Sequence, residues 1–102
     1  MDWRQLLNEL QQRVGTGQVT TYGRCSEWAF GNRRGSPAIV SMLNAAARGG
    51  NHLWTNRVVR ENGGIASQAD QSYHQAAQLK AEGVAFTALG RVDFTQCPPV
   101  VL

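Results

Sequence analysis

Few residues in this sequence have side chains suited to covalent chemistry. The two cysteines, Cys25 and Cys97, are far apart, and neither has a partner at the spacing of a zinc site. His52 and His74 are too isolated to complete one, so we predict no metal site and no cofactor. Cys25 falls within a predicted helix, where we interpret it as a small core residue rather than a nucleophile. In a reducing compartment both thiols stay free.

The chemistry that the sequence favours is phosphate binding. Nine of the ten basic residues are arginine and the tenth is Lys80. The planar guanidinium group binds phosphate oxygens through two parallel hydrogen bonds. Most arginines fall between Thr21 and Arg60, and no acidic residue lies between Glu27 and Glu61. Positive charge concentrated in one third of a chain predicts an anionic polymer as partner, nucleic acid in particular.

Composition indicates a globular protein. The chain has 102 residues, 42% of them hydrophobic, which suits one domain over residues 1–102 with a modest core. No apolar run reaches the length of a membrane span, so we expect no membrane partner. The start of the chain, Met1 to Arg4, lacks the charged-then-apolar order of a signal peptide. We therefore expect a cytoplasmic protein.

Three helices are predicted in the first half of the chain. Asp2 precedes a stripe of apolar residues at helical spacing, and Thr21 precedes a short helix over Tyr22–Phe30. Ser36 is expected to cap a third helix, from Pro37 to about Ala47. The apolar residues expected to face the core are Trp3, Leu6, Leu7, Leu10, Val14, Cys25, Trp28, Ala29, Ile39, Val40, Leu43 and Ala46. Two short helices joined by a tight basic loop, the second with a small-residue outer face, predict a helix-turn-helix.

The second half predicts one more helix and short strands. Val58–Val59 followed by the turn Asn62–Ile65 indicates a small wing. A fourth helix is expected over Gln68–Glu82, and a hairpin over Val84–Phe94. The fold class is therefore mainly α, a winged-helix-like helix-turn-helix domain with a small β-wing or hairpin.

Several segments occur together in an order that resembles a known family. They are Gly17–Gly23, Asn56–Val59, Asn62–Ile65 and Gln78–Val84. Together they resemble the DNA-binding domain of O6-alkylguanine-DNA alkyltransferases, the methylated-DNA-cysteine methyltransferases, and in particular their short non-enzymatic relatives, the alkyltransferase-like proteins. The similarity runs across nearly the whole chain.

The resemblance implies that the alkyl acceptor is missing. In the family, a Pro-Cys-His-Arg-Val segment carries the cysteine that receives the alkyl group. Alignment on Arg57 puts Thr55 at the cysteine and Asn56 at the histidine, whereas a shift by one residue puts Trp54 at the cysteine position, where alkyltransferase-like proteins have tryptophan or alanine. In either register no thiol is present. A threonine hydroxyl without a base is not ionised at neutral pH, so we predict no enzymatic activity.

The resemblance also implies which residues contact DNA. Tyr22 matches the family tyrosine that presses on the phosphate beside the target nucleotide and helps to flip it. The family's intercalating arginine falls on Pro37 or Ala38. Two alternatives follow: Arg33 or Arg34 substitutes for it, or base flipping is weakened or lost. The predicted DNA-binding residues are Thr21, Tyr22, Arg24, Arg33, Arg34, Ser36, Ala38, Ser41 and Arg57. The predicted lesion pocket consists of Tyr22, Trp54, Thr55, Asn56 and Ser67.

The implied function is the recognition of O6-alkylguanine in double-stranded DNA by base flipping, which flags the lesion for nucleotide excision repair proteins. Such a sensor is expected to be a monomer. One alternative is a generic winged-helix DNA-binding module or regulator without a lesion pocket, which predicts sequence preference and a dimer. Another is an enzyme with Thr55 or Cys25 as nucleophile, but the one nearby carboxylate, Glu61, falls in a predicted turn.

Overall fold

A computed structural model describes the backbone of all 102 residues and the side chains of all but Ser67 and Gln68. The fold is mainly helical, with two short strands, which confirms the predicted fold class. The helices are α1 (Trp3–Arg13), α2 (Tyr22–Phe30), α3 (Ser36–Ala46), α4 (His52–Thr55), α5 (Ser67–Tyr73) and α6 (Gln75–Ala81); the strands are β1 (Thr20–Thr21) and β2 (Val58–Val59). A 3₁₀ turn, Arg33–Gly35, joins α2 to α3, and a π turn, Ala47–Asn51, joins α3 to α4.

The first helix begins at a complete capping box. The Asp2 carboxylate accepts hydrogen bonds from the backbone N–H groups of the first turn, and the Gln5 side chain accepts one from the Asp2 N–H at 2.9 Å. The predicted stripe faces the core, with Leu6, Leu10 and Val14 fully buried.

Helices α2 and α3 form the predicted helix-turn-helix. Gly31 ends α2 in the left-handed conformation. The Ser26 hydroxyl, buried between the helices, accepts a hydrogen bond from the Gly35 N–H at 2.9 Å and donates one to the Asn32 carbonyl. This single side chain therefore fixes the turn that carries Arg33 and Arg34.

Two predictions about α3 are wrong. Ser36 is not the cap but the first helical residue, and its hydroxyl donates to the Arg33 carbonyl at 3.3 Å. The preceding 3₁₀ turn already leads the chain into helical geometry, so the helix begins one residue early. Val40 was expected in the core but is 41% exposed. It lies about 100° around the helix from Ile39, at the edge of the buried face, so its side chain reaches solvent while Ile39 and Leu43 are buried.

The two strands form a parallel ladder, Thr20 with Val58 and Thr21 with Val59. The predicted strand and the turn after it are present, since the Gly63 N–H donates to the Arg60 carbonyl at 2.9 Å. The partner of β2 differs from the prediction, because the strand pairs with β1 and does not form its own hairpin wing. A long-range parallel pairing leaves no local pattern in the sequence.

The ladder separates two hydrophobic clusters. Alternate side chains of a strand point to opposite faces, so Val58 enters one cluster and Val59 the other. The first cluster contains Leu6, Leu10, Val14, Cys25, Ile39, Leu43 and Val58; the second contains Val19, Val59, Leu79, Val84 and Val92. The predicted C-terminal hairpin closes the second cluster, with one antiparallel bridge between Phe86 and Val92.

The predicted fourth helix is broken in the middle. His74 has a φ of 55°, the left-handed conformation, and separates α5 from α6. The Asp70 side chain accepts a hydrogen bond from the Ala76 N–H at 3.0 Å and so caps the start of α6. The apolar spacing continues across the break, which is why the sequence predicts one helix.

The C-terminal tail extends the ladder. The Val100 N–H donates to the Val19 carbonyl at 2.8 Å, and the Thr20 hydroxyl donates to the Val100 carbonyl at 2.7 Å. Among the described residues, no helix has the length and apolar character needed to cross a membrane.

We predict that Gly63→Ala destabilises the protein strongly. Gly63 has a φ of +81°, and an added Cβ would lie 2.4 Å from the Val92 carbonyl oxygen. Gly90 has a similar φ of +77° with no atom within 4 Å of that position. Gly90→Ala should therefore cost about 1 kcal/mol for backbone strain alone, and Gly63→Ala at least about 3 kcal/mol. Urea unfolding of both variants measures the difference, and equal losses would contradict the packing argument.

Candidate nucleic-acid interface

The outer face of α3 is thin and exposed. Its exposed side chains are Pro37, Ala38, Val40 and Ser41, all small or compact. A helix with such a face can approach a groove without long side chains holding it away. The structure thus places Ala38 and Ser41 where the sequence predicted a surface for DNA, and Ser36 half-buried at the helix start.

Exposed arginines lie at both ends of this face. Arg34 is in the turn before α3, Arg48 is in the turn after it, and neither forms an ion pair with a described residue. Arg24, half-exposed in the first turn of α2, and Arg60, exposed after β2, are also outside the ion pairs of the described residues. These four guanidinium groups keep their charge available for an anionic partner.

Arg33 differs from Arg34 although the two are adjacent. Its guanidinium donates to the Glu27 carboxylate and, at 2.8 Å, to the Glu61 carboxylate. Glu61 also accepts a hydrogen bond from the Gly23 N–H, near the start of α2. The charge of Arg33 is therefore largely neutralised, which leaves Arg34 as the more available of the two predicted substitutes for an intercalating arginine.

Tyr22 is the first residue of α2 and is half-buried. Burial raises the pKa of its phenol, an effect that the nearby Arg60 charge opposes. The ring packs against the first hydrophobic cluster and lines a cavity. Its position is fixed by Thr21, whose hydroxyl accepts a hydrogen bond from the Arg24 N–H at 3.2 Å.

The prediction that Thr21 contacts DNA is corrected by this geometry. The residue is only 2% exposed, and its hydroxyl serves as the cap of α2. A threonine that pairs within a β-ladder and caps a helix has no surface left for a phosphate.

A cavity lies behind the helix-turn-helix, between α2, α3, α4 and α5. It has a volume of about 30 Å³, room for about one or two water molecules, and opens to solvent. The residues that line it are Tyr22, Leu43, Asn44, Ala47, Thr55, Ala69 and Tyr73. The structure thus brings together Tyr22 and Thr55, 33 positions apart in sequence, in the lining of one cavity.

Two other predicted pocket residues lie outside the cavity lining. The Trp54 ring lies beneath the Arg57 guanidinium, 4.8 Å from the ring centroid. The Asn56 side chain is 1% exposed and donates to the Tyr73 carbonyl and to Gln78. Trp54 is therefore not a cavity wall, and Asn56 supports the cavity from behind. The remaining pocket prediction, the Ser67 side chain, lies outside the described residues.

Arg57 was predicted to contact DNA, and the structure corrects this. Its side chain is buried, and its guanidinium donates two hydrogen bonds to the Glu82 carboxylate, at 2.8 and 3.0 Å. It also donates to the Val14 carbonyl and the Thr16 hydroxyl, both at 3.3 Å. With its donors used inside the protein, Arg57 is a structural residue.

Cys25 and Thr55, the two nucleophiles that the sequence suggested, are not activated among the described residues. Burial, with the nearby Glu61 carboxylate, raises the pKa of the Cys25 thiol to about 12, so the thiolate is absent at neutral pH. The Thr55 hydroxyl donates to the His52 carbonyl at 3.4 Å, and none of the described side chains accepts its proton. In the part of the chain that the structure describes, no cluster of His, Cys, Asp or Glu side chains could hold a metal ion.

Several cavity residues were not predicted from the sequence. Ala69 and Tyr73, one helical turn apart on α5, form one wall, and Tyr73 stacks on His52 with 5.1 Å between ring centroids. Asn44 reaches the cavity from α3. The sequence offered one signal for Asn44, its position beside the buried Leu43 and one helical turn before Arg48. The position of α4 is not predictable from the sequence, so Asn44 could not be assigned to a pocket.

Comparison with known proteins supports the fold. No protein-family model matches the chain, and no curated protein matches it in sequence. Among solved structures, the chain is similar to S. pombe Atl1, crystallised in complex with damaged DNA containing O6-carboxymethylguanine. The superposition has a TM-score of 0.67 and covers 92% of this chain and 90% of that chain, at 20% sequence identity. The two proteins therefore share a fold.

We predict that Glu82→Gln destabilises the protein in a pH-dependent way. Burial alone would raise the pKa of Glu82, but hydrogen bonds from Arg57, Gly17 and Gln78 outweigh it and lower the pKa. A carboxyl with a lowered pKa in the folded state adds stability above its unfolded pKa, and this stability is lost as pH falls through the folded pKa. At pH 7 the variant should lose about 3 kcal/mol, because Arg57 is left buried without its partner.

Unfolding by urea at pH 7 and at acid pH measures this effect. The gap between wild type and Glu82→Gln should narrow as pH falls below the pKa of Glu82. Glu9→Gln is the matched control, since it removes a carboxylate from an i,i+4 pair with Arg13 whose guanidinium is mostly exposed. It should cost only about 0.5 kcal/mol. A constant gap at all pH values would show that the ion pair is not the source of the stability.

Proposed function

We propose that this protein binds double-stranded DNA and recognises O6-alkylated guanine by taking the flipped base into the cavity between Tyr22 and Thr55. It does no chemistry on the base and marks the lesion for repair proteins. The observation that carries this proposal is the cavity itself, which lies directly behind a helix-turn-helix and is lined by Thr55, one of the two residues that the resemblance aligns with the family's acceptor cysteine. The shared fold with S. pombe Atl1 supports it.

The surface charge suits the duplex backbone. Arg34 and Arg48 lie at the two ends of the thin face of α3, and Arg24 and Arg60 lie near Tyr22. A groove occupied by α3 would therefore have guanidinium groups beside both strands. Such contacts fix orientation and supply sequence-independent affinity. Pro37 and Ala38, the two candidates for the position of the family's intercalator, have no long side chain, and Arg34 is our candidate for filling the gap left by a flipped base.

Tyr22 is positioned to drive flipping. Its ring lies between the helix-turn-helix and the cavity, anchored on the hydrophobic cluster, so it can act as a rigid support for a rotated backbone. Flipping costs a few kcal/mol and costs less for a base whose pairing is already weakened by damage. The cavity as it stands is too small for a base, so binding requires the wall formed by Ala69 and Tyr73 to move outward.

The absence of chemistry follows from the side chains available. An alkyl group transferred to Thr55 would need a base to remove the hydroxyl proton, and the described neighbours supply none. Asn56, which the alignment on Arg57 puts at the family's histidine, uses its amide to support α5 and cannot relay a proton. The proposed partners are alkylated duplex DNA and nucleotide excision repair proteins, and the proposed state is a cytoplasmic monomer.

Two observations favour a second candidate function. The small volume of the cavity and the alanine at position 38 are also what a helix-turn-helix module without a lesion pocket would have. Such a module would read base sequence and bind two half-sites as a dimer. Sedimentation of the protein alone and on DNA separates the two functions, because the lesion sensor is expected as a monomer in both.

The direct test is a titration of two duplexes that differ by a single O6-methylguanine, at matched salt. We expect tighter binding to the modified duplex. Tyr22→Ala should reduce this preference by about tenfold and change affinity for unmodified DNA by less than about threefold, because its role is in flipping. Tyr22→Phe keeps the packing and should retain most of the preference. Equal affinity of the wild type for both duplexes would remove lesion recognition and leave DNA binding.

Arg34→Ala should weaken binding to all DNA and reduce the slope of log K against log salt by about one, because one phosphate contact is lost. If Arg34 also fills the gap in the duplex, lesion preference falls as well. Arg91→Ala is the matched control, as it removes the same charge from the C-terminal hairpin. Fluorescence anisotropy at several salt concentrations gives both slopes, and an equal change for the two variants would contradict the proposed surface.

A further inference from the structure

Among the described residues that line the cavity, Asn44 is the one with a side-chain amide. Its side chain makes no hydrogen bond to any group that the structure describes, although the residue is half-buried. The Thr55 hydroxyl, by contrast, donates its hydrogen bond to the His52 carbonyl and can offer an occupant only an acceptor. Most of the remaining lining is apolar, so Asn44 is the polar group best able to read an occupant.

The location of Asn44 is fixed by the rigid part of the fold. Leu43 before it and Ala46 after it are buried in the core, and its own carbonyl accepts a hydrogen bond from the Ala47 N–H. A side chain on such a helix keeps its position, as a group that selects a ligand must.

An amide has a property that the other polar groups of the cavity lack, a donor and an acceptor side by side. Unmodified guanine presents two donors at its N1 and 2-amino positions. Alkylation at O6 removes the N1 proton, so the same edge then presents an acceptor beside a donor. Asparagine pairs with such an edge through two hydrogen bonds, as it does with the acceptor and donor of adenine.

We infer that Asn44 is the specificity-determining residue of the cavity, which pairs with N1 and the 2-amino group of O6-alkylguanine and opposes unmodified guanine. This inference rests on the proposed function and adds the part of the base that is read. With unmodified guanine, the N1–H group would face the side-chain N–H of Asn44, and neither of these two donors would have an acceptor. A buried donor without a partner lowers affinity by about tenfold or more.

The test is a cycle of two proteins and two lesions. Wild type and Asn44→Leu are titrated with duplexes containing O6-methylguanine or O6-methylhypoxanthine, which lacks the 2-amino group. We expect removal of the amino group to weaken the wild type by about tenfold and Asn44→Leu by less than about twofold. Asn8→Leu, an exposed asparagine on α1, is the matched control and should behave as wild type. Equal losses in wild type and Asn44→Leu would overturn the inference.

A second variant keeps the inference falsifiable if Asn44→Leu folds poorly. In Asn44→Asp the carboxylate can only accept hydrogen bonds. It therefore matches the two donors of unmodified guanine but not the N1 acceptor of O6-alkylguanine. The ratio of affinities for O6-methylguanine and guanine duplexes should fall by about tenfold or more in Asn44→Asp. An unchanged ratio would overturn the role of Asn44 but leave lesion recognition intact, whereas a wild type without lesion preference would overturn both.

Discussion

The buried ion pair between Arg57 and Glu82 connects the segment after α4 with the end of α6. Glu82, at the end of α6, receives two hydrogen bonds from Arg57 and one from the Gly17 N–H, and Arg57 also reaches the end of α1. A buried ion pair contributes little net stability compared with apolar packing, but removal of one partner is costly. The ion pair determines geometry instead. It fixes Arg57, two positions after Thr55, and so fixes the part of the cavity lining that Thr55 forms.

The buried amide of Gln75 also fixes the segment that follows Thr55. Gln75, fully buried, donates to the carbonyls of Asn56 and Val58 and accepts from the Ala66 N–H. Every one of these hydrogen bonds holds backbone in the segment between Thr55 and α5. Since Val58 and Val59 anchor the same segment in two different hydrophobic clusters, a shift of the segment would disturb both. The Thr55 side of the cavity is therefore preorganised, and an occupant meets it without rearrangement.

The structural features that could be predicted from the sequence were those determined by contacts between residues close together in the chain. Asp2, Thr21 and Gly31 define helix ends through contacts within a few residues, and the helix-turn-helix follows from them. The partner of Val58–Val59 could not be predicted, because parallel pairing with Thr20–Thr21 is long-range. For the site, arginine count alone did not distinguish Arg57, buried against Glu82, from exposed Arg34. Charge pairing depends on carboxylates that lie distant in sequence and become neighbours only in the fold.

The walls of the cavity differ in how firmly they are held, and this decides which of them can admit a base. Tyr22 and Leu43 belong to α2 and α3, whose inner faces contribute to the first hydrophobic cluster, so moving them would expose core. Among its described residues, the α5 wall is held by polar and aromatic contacts, the hydrogen bond from the Asn56 amide to the Tyr73 carbonyl and the stack of Tyr73 on His52. It ends at His74, where a left-handed backbone already interrupts the helix. Breaking a few such contacts costs less than opening a core, and an entering purine can replace the lost stacking with its own. Under the proposed function, α5 is therefore the wall that moves.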